Sequence, residues 1–178
     1  MIRAGVGFYA FFGWCWLLAG LGHFGGVTAV VACLLGLVVA GALALPARGL
    51  PSPSAGGAGQ APPPAQRRRF AQVNAVQWLL IAAVVASCGA GGVPELIMPL
   101  VAVVVGVHFL PLARVFAEIR LVVPGAVLTA VGIAGLLARA AGASPGAVLT
   151  LVGVGCALTL WSTAAWSIAG ARRAAARA

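Results

Sequence analysis

The sequence contains no lysine, and its only acidic residues are Glu95 and Glu118. Charged residues make up 7% of it, against about a quarter in a typical soluble domain. That shortage excludes an ordinary soluble domain and leaves no intramembrane carboxylate pair for proton chemistry. Cysteine spacing is equally uninformative for metals or redox work. Cys15, Cys33, Cys88 and Cys156 fall one to a span in four different apolar stretches, with no CxxC and no Cys/His ligand pattern. They read as small packing residues, and no metal or cofactor is expected. A Walker loop, GxSxG and HExxH are also missing, as are an arginine ladder within a span and a selectivity-filter signature. Catalysis would have to rest on His108 with a Ser, Thr or Cys, and no triad arranges them. The chain reads as a non-enzyme.

What the sequence has is apolar length. It is 62% hydrophobic over 178 residues, with a mean hydropathy of +1.11. A helix needs about 20 apolar residues to cross the hydrocarbon core, and six stretches qualify: Val6–Gly22, Val27–Leu45, Ala71–Gly89, Pro94–Leu112, Leu121–Leu137 and Pro145–Ala169. Arg3 before the first stretch gives it a superficial likeness to a signal peptide. No convincing cleavage site precedes the second apolar run, so the first is kept as a membrane helix. His23-Phe24-Gly25-Gly26 makes a tight hairpin between spans one and two. Gly89–Val93 joins three to four, and Arg139–Ser144 joins five to six.

The net charge of +9 is carried by arginine alone. Arg3 precedes span one; Arg48, Arg67, Arg68 and Arg69 lie between two and three. Arg114 and Arg120 lie between four and five, and Arg172, Arg173 and Arg177 follow six. With six spans all of these share one side, and only Arg139 lies opposite. The positive-inside rule makes the arginine-rich side cytoplasmic, so both termini are expected there, in a bacterial plasma (inner) membrane. A pI near 11.6 would suggest nucleic acid in a soluble protein. Arginines bordering apolar spans point instead to anionic headgroups as partners, with Arg67, Arg68, Arg69, Arg114, Arg120, Arg172 and Arg173 as the contacts, and to no nucleic acid. Phe8, Tyr9, Phe11, Phe12, Phe70, Phe109, Phe116 and Trp166 read as an aromatic belt at the same interface. The scarcity of lysine beside abundant Ala, Gly, Val, Arg and Pro reads as coding bias.

Residues 46–69 are rich in Pro, Gly, Ala and Ser and end in three arginines. The low-complexity part buries too little apolar surface to offset the entropy of ordering it. It is expected to be a disordered cytoplasmic spacer between a hairpin (residues 1–45) and a four-helix membrane unit (residues 70–178) with a short basic tail. Pro124–Gly132 (PGAVLTAVG) is echoed by Pro145–Gly153 (PGAVLTLVG). Inverted repeats are common in transporters. Proline's suitability for starting helices and the chain's commonest letters explain the echo better.

Polar residues at membrane depth are costly and mark candidate sites. Asn74 and Gln77 share a face of span three. In a hairpin of spans three and four, residues whose numbers add to about 182 lie at similar depth, which pairs Asn74 with His108. Span six adds Thr159, Ser162, Thr163 and Ser167 at one-turn intervals. Together these residues make a candidate inner-leaflet polar layer. The layer is either interhelical hydrogen-bonding glue or a cytoplasm-facing vestibule for a small polar ligand, and glue is favoured. His108, which can donate, accept or gain a proton, keeps the vestibule open as an alternative. Pro111 frees a carbonyl near Val107 that His108 or a water would satisfy. Glu95 suits the helix dipole at the start of span four, His23 reads as an interfacial histidine within reach of Glu95 if the hairpins pack together, and Glu118, four residues after Arg114, reads as a local salt bridge.

The motifs Asn74-x-x-Gln77-Trp78, Pro94-Glu95-Leu96-Ile97 and Val105-Gly106-Val107-His108-Phe109-Leu110-Pro111-Leu112-Ala113, all between Arg69 and Phe116, resemble a group of small uncharacterised multi-pass bacterial membrane proteins. The resemblance implies a bacterial integral membrane protein and directs attention to Asn74, Gln77 and His108. It implies no activity, and it does not extend to the flanking hairpins.

The sequence thus predicts an all-α, six-helix membrane bundle with both ends cytoplasmic. Small residues one turn apart, such as Gly36 with Ala40 or Gly132 with Gly135, permit close helix packing and self-association. The expected role is a non-catalytic scaffold, assembly factor or subunit whose partner is a second copy or another membrane protein. The alternative is a small transporter or channel.

Overall fold

The computed structural model describes residues 2–48 and 63–177. Among these there are six α-helices and no strand: α1 Ile2–Leu21, α2 Gly26–Arg48, α3 Pro64–Ala90, α4 Ile97–Phe116, α5 Val122–Ala140 and α6 Pro145–Ala175. All six lie in helical segments long and apolar enough to cross a membrane. A backbone placed in hydrocarbon must satisfy its own N–H and C=O groups, which a helix does without outside partners. Apolar side chains also cover the outside: Val27 is 80% exposed, Leu79 70% and Val38 67%. No polar or charged residue is buried among the described residues. A surface as apolar as its interior is that of a multi-pass membrane protein.

The helices run further than hydropathy indicates. The expected spacer, residues 46–69, is helical at both of its described ends, since Pro46–Arg48 closes α2 and Pro64–Arg69 opens α3. Arginine is a strong helix former without an apolar signal, and Pro64 sits where a missing N–H is harmless. Residues 49–62 of that spacer lie outside the described residues. At the other end α6 continues past Ala169 to Ala175.

The chain forms two compact units. One comprises α1, α2 and the part of α6 from Cys156 onward; the other comprises α3, α4, α5 and the start of α6 up to Gly155. This grouping crosses the division expected at the spacer. The first unit has a specific reason to include α6. Trp161 Nε1 donates to the Ala10 carbonyl at 3.2 Å, and its indole lies over Gly13, where a Cβ would come within 2.5 Å of Trp161 Nε1. The same arrangement recurs between α1 and α2. Trp14 Nε1 donates to the Cys33 carbonyl at 3.1 Å, and a Cβ on Gly36 would lie 2.6 Å from Trp14 Cδ1. In each case the tryptophan covers a glycine and bonds the carbonyl three residues before it. An interhelical bond of this kind contributes roughly 0.6–1.7 kcal/mol in a membrane. The turn between α1 and α2 needs glycine as well, because Gly25 and Gly26 have φ of 64° and 47°.

Glycine also sets the spacing in the second unit. A Cβ on Gly132 would lie 2.6 Å from the Pro99 carbonyl oxygen and 2.8 Å from Val103 N, and one on Gly125 would lie 2.8 Å from the Gly106 oxygen. Gly106 sits against Thr129 and Gly125 in return. Gly135 and Gly155 make equivalent room for Val152 and Val131 between α5 and the start of α6. Tyr9 and Phe109, expected in an aromatic belt, are instead buried at 8% and 4% exposure, because a face that meets a neighbouring helix is decided by packing and not by depth. The two echoed nonapeptides share one buried position, the closing glycine, and otherwise bury different ones. The first buries Pro124, Gly125, Leu128 and Gly132, whereas the second buries Val148, Val152 and Gly153, so the shared letters do not make a shared interface.

Three helix ends in this unit close alike, with a left-handed residue and a bond spanning five residues. Val93 N donates to the Cys88 carbonyl, Glu118 N to Ala113 and Ala143 N to Ala138, at 3.0, 2.9 and 2.9 Å. The left-handed residues are Gly92, Ala117 and Gly142. Only Ala117 carries a Cβ in that conformation, at φ 50° and ψ 38°, which is disfavoured for an L-residue by about 1 kcal/mol. Ala117→Gly is therefore expected to stabilise the protein by roughly 0.5–1 kcal/mol, read as a higher midpoint in thermal or SDS denaturation. Gly132→Ala should destabilise it by about 1–3 kcal/mol through overpacking. Gly89→Ala, where a Cβ would meet nothing within 4 Å, should leave the same midpoint unchanged or slightly raised. Equal effects at positions 132 and 89 would show that the α4–α5 contact does not set stability.

Candidate functional site

The α3–α4 hairpin carries three members of the expected polar layer. Asn74 and Gln77 lie three residues apart on α3, half-buried, and His108 is half-buried on α4. The His108 imidazole lies beside the backbone of Val73, next to Asn74. At the arginine-rich end of the same seam, Gln66 Nε2 donates to the Val115 carbonyl at 2.8 Å. The Gln66 bond and the approach of His108 to Val73 share one register, since seven positions along α3 are matched by seven positions back along α4. Phe70 and Phe116 add a tilted ring contact, with centroids 5.6 Å apart. The depth match of Asn74 with His108 read from the sequence agrees with this geometry to within one residue.

No hydrogen bond from His108 to the carbonyl that Pro111 frees occurs among the described residues; its ring lies toward α3, beside Val73. Gln66 serves a carbonyl nearer the end of α4. The last carbonyls of a helix lack an intrahelical donor. Ala113 and Arg114 are served by the backbone of Ala117 and Glu118, and Val115 is served by Gln66. Sequence reasoning placed Gln66 in the spacer and missed this cap. An amide side chain two residues after a helix-starting proline was the available signal. The Asn74 and Gln77 amides make no side-chain hydrogen bond among the described residues.

The hydroxyls expected in the layer belong to the other unit. Thr163 Oγ1 donates to the Thr159 carbonyl and Ser167 Oγ to the Thr163 carbonyl, both at 2.8 Å, while Ser162 is exposed. This back-bonding satisfies the hydroxyls within α6. In the α3–α6 unit Thr129 Oγ1 does the same to the Gly125 carbonyl at 2.8 Å, beside the α4–α5 glycine contact.

The two carboxylates each have an arginine. Glu95 Oε1 accepts from Arg139 Nη2 at 3.1 Å and from Arg139 Nε at 3.3 Å. The pair joins the start of the Pro94–Phe116 span to the end of α5, so Glu95 does more than complement a helix dipole. The pairing follows the α4–α5 register. Pro99 meets Gly135, and four positions back on one helix match four positions on along the other. Hairpin arithmetic applied to spans four and five would have found it. Glu118 does form a local ion pair, but with Arg120, 3.9 Å away, and it accepts from the Arg120 backbone N–H. Of the two flanking arginines, Arg114 lies on a helix that ends at Phe116, so its four-residue spacing from Glu118 is not helical spacing. His23 stacks on Phe24 with ring centroids 4.0 Å apart.

All four cysteines are free thiols, Cys88 and Cys156 buried, Cys15 and Cys33 half-buried. No group of three or more His, Cys, Asp or Glu capable of holding a metal occurs among the described residues. Arg67, Arg68, Arg69, Arg114, Arg120, Arg172 and Arg173 are all exposed. Neither a protein-family model, nor a curated protein, nor a solved structure matches the chain.

Proposed function

We propose that this is a multi-pass protein of a bacterial inner membrane, with both termini in the cytoplasm, that acts as a non-catalytic scaffold, assembly factor or partner subunit. The observation that carries the reading is where the hydrogen bonds of its membrane-depth polar groups go. Trp14, Trp161 and Gln66 donate to carbonyls of neighbouring helices, and Thr129, Thr163 and Ser167 bond back to their own helices. Bonds of the first kind hold helices in register, and those of the second satisfy the hydroxyls locally. The topology is supported by the arginine distribution, since Arg139, opposite the others in a six-span arrangement, is the one bound to Glu95. Anionic headgroups are the natural counterions of the exposed arginines. The bacterial source is supported by the motif resemblance between Arg69 and Phe116.

A second reading, a small transporter or channel with a cytoplasm-facing vestibule, is favoured by Asn74 and Gln77, whose amides remain available on α3. One labelling experiment separates the two. In a variant lacking the native cysteines, His108→Cys and Ala141→Cys are treated with a membrane-impermeant thiol reagent in right-side-out and inside-out vesicles. Position 141, in the exposed turn before α6, should label only from the periplasmic face. Position 108 should label from neither. Labelling of 108 from the cytoplasmic face alone would replace the scaffold reading with the vestibule, and labelling of 141 from the cytoplasmic face would invert the topology.

A further inference from the structure

Arginine outnumbers acidic side chains eleven to two. Both carboxylates are engaged locally, Glu95 by Arg139 and Glu118 by Arg120. The exposed arginines at the C-terminal end of α6 must therefore find their anions outside the chain. Arg172 and Arg173 differ from the others in what lies beside them. An open groove of about 450 Å³ lies between the end of α2 and the C-terminal part of α6, lined by Ala42, Leu43, Pro46, Ala165, Ile168 and Ala169 together with the two arginines. Positions 165, 169, 172 and 173 recur at helical spacing, so the apolar wall and the guanidinium pair lie along one stripe of α6. The apolar lining sets alanines beside Leu43, Pro46 and Ile168, a surface suited to a chain-like apolar guest. The arginines offer two planar, permanently charged forks suited to phosphate oxygens. Arg68 and Arg69 contrast with this: they sit beside Pro64, Ala65 and Gln72 of α3 alone, without a second helix to form a groove.

We propose that the groove between α2 and the end of α6 is a discrete site for one anionic phospholipid. An acyl chain lies against Ala42, Leu43, Ala165 and Ala169, and the phosphate rests on Arg172 and Arg173. Basic pockets between transmembrane helices bind lipid headgroups in this manner. The proposal rests on the membrane reading above and makes it specific. It separates one retained lipid from the diffuse attraction of a basic surface for an anionic leaflet. It also commits to a lipid and not to free phosphate, because the apolar part of the groove has no use for an inorganic ion.

The test is native mass spectrometry of the full chain released from detergent micelles supplemented with either dioleoylphosphatidylglycerol or dioleoylphosphatidylcholine. The expected result is one retained phosphatidylglycerol and much weaker retention of phosphatidylcholine. Arg172→Gln with Arg173→Gln should lower phosphatidylglycerol affinity roughly tenfold or more. Ala165→Leu, which fills the groove and keeps both arginines, should lower it as well. Arg68→Gln with Arg69→Gln should leave it unchanged. Circular dichroism and gel-filtration elution check that each variant is folded; should Ala165→Leu fail that check, Ala165→Val takes its place.

Equal losses from the two arginine pairs would mean general electrostatics and overturn the site. Undiminished retention in a folded groove-filling variant would do the same, as would displacement of the lipid by millimolar inorganic phosphate. A lower denaturation midpoint for the groove-filling variant in lipid-free micelles would show that protein atoms fill the groove. Retention in micelles does not depend on membrane orientation. A reversed labelling pattern at position 141 would sink the topology and leave this result standing, and loss of lipid retention would leave the topology standing.

Discussion

In hydrocarbon, two helices gain nothing by burying leucine against leucine, because lipid tails are as apolar as the side chains they would replace. Association then depends on close van der Waals contact and on the few hydrogen bonds that cross between helices. The α4–α5 contact meets that requirement by bringing main chain against main chain at Gly106, Gly125 and Gly132, with carbonyl oxygens occupying the space a Cβ would take. The other features of that unit follow from this approach. Its register places Gly135 against Pro99, and at the far end of the same helices it brings Arg139 onto Glu95. It also leaves the opposite side of α4 to meet α3, where Gln66 sets the second register and His108 lies beside Val73.

The other unit reaches the same end by a different device. Its tryptophans supply the volume that glycine removes, so that a large ring fills the notch on the neighbouring helix and its N–H finds a carbonyl there. An indole N–H away from water needs an acceptor. A helix carbonyl keeps a lone pair after its intrahelical bond is made, so the ring can bond without breaking the helix it covers. Notch and acceptor come together, because the residue three before the glycine presents its carbonyl on the same face. Trp14 and Trp161 thus serve helix packing, a use distinct from the interfacial anchoring for which Trp is most readily read in a membrane sequence.

How far the sequence reveals all this depends on which physical signal each element leaves. The six helices and their turns are legible because apolar length and glycine-rich breaks are strong local patterns. The α3–α4 register is legible because a short turn leaves little freedom, so Asn74 can be matched with His108 by counting. Helix ends are less legible. Arg67–Arg69 are helical yet polar, and hydropathy stops where propensity continues. The partners of Trp161, Gln66 and Glu95 need the register and the facing side of two helices at once, and one sequence contains no local mark of either. The polar layer shows the same divide. The residues at membrane depth are easy to pick out, but whether a hydroxyl turns back to its own helix, as Thr163 and Ser167 do, is decided by rotamers and neighbours that composition does not record.

The scarcity of acidic residues gives the Glu95–Arg139 pair a meaning beyond local stability. Positive-inside behaviour depends on arginines near the ends of spans, and one arginine on the wrong side opposes the rest. Arg139 is that residue in a six-span arrangement, and one of the chain's two carboxylates is the group bound to it. Neutralised by Glu95, it no longer weighs as a free charge at its end of the unit. The other exposed arginines keep their charge, apart from Arg120 beside Glu118. The pair also ties α4 to α5 at the end opposite Arg114 and Arg120, so its two effects, on charge and on packing, favour the same arrangement. The ion pair forms only after α4 and α5 have met, whereas orientation is set as spans enter the bilayer. On the orientation proposed above, the charge asymmetry must then already suffice with Arg139 unpaired, and the ten arginines that a six-span arrangement sets against it provide that margin. Glu95 is best understood as fixing the folded state, with the choice of orientation left to the arginines.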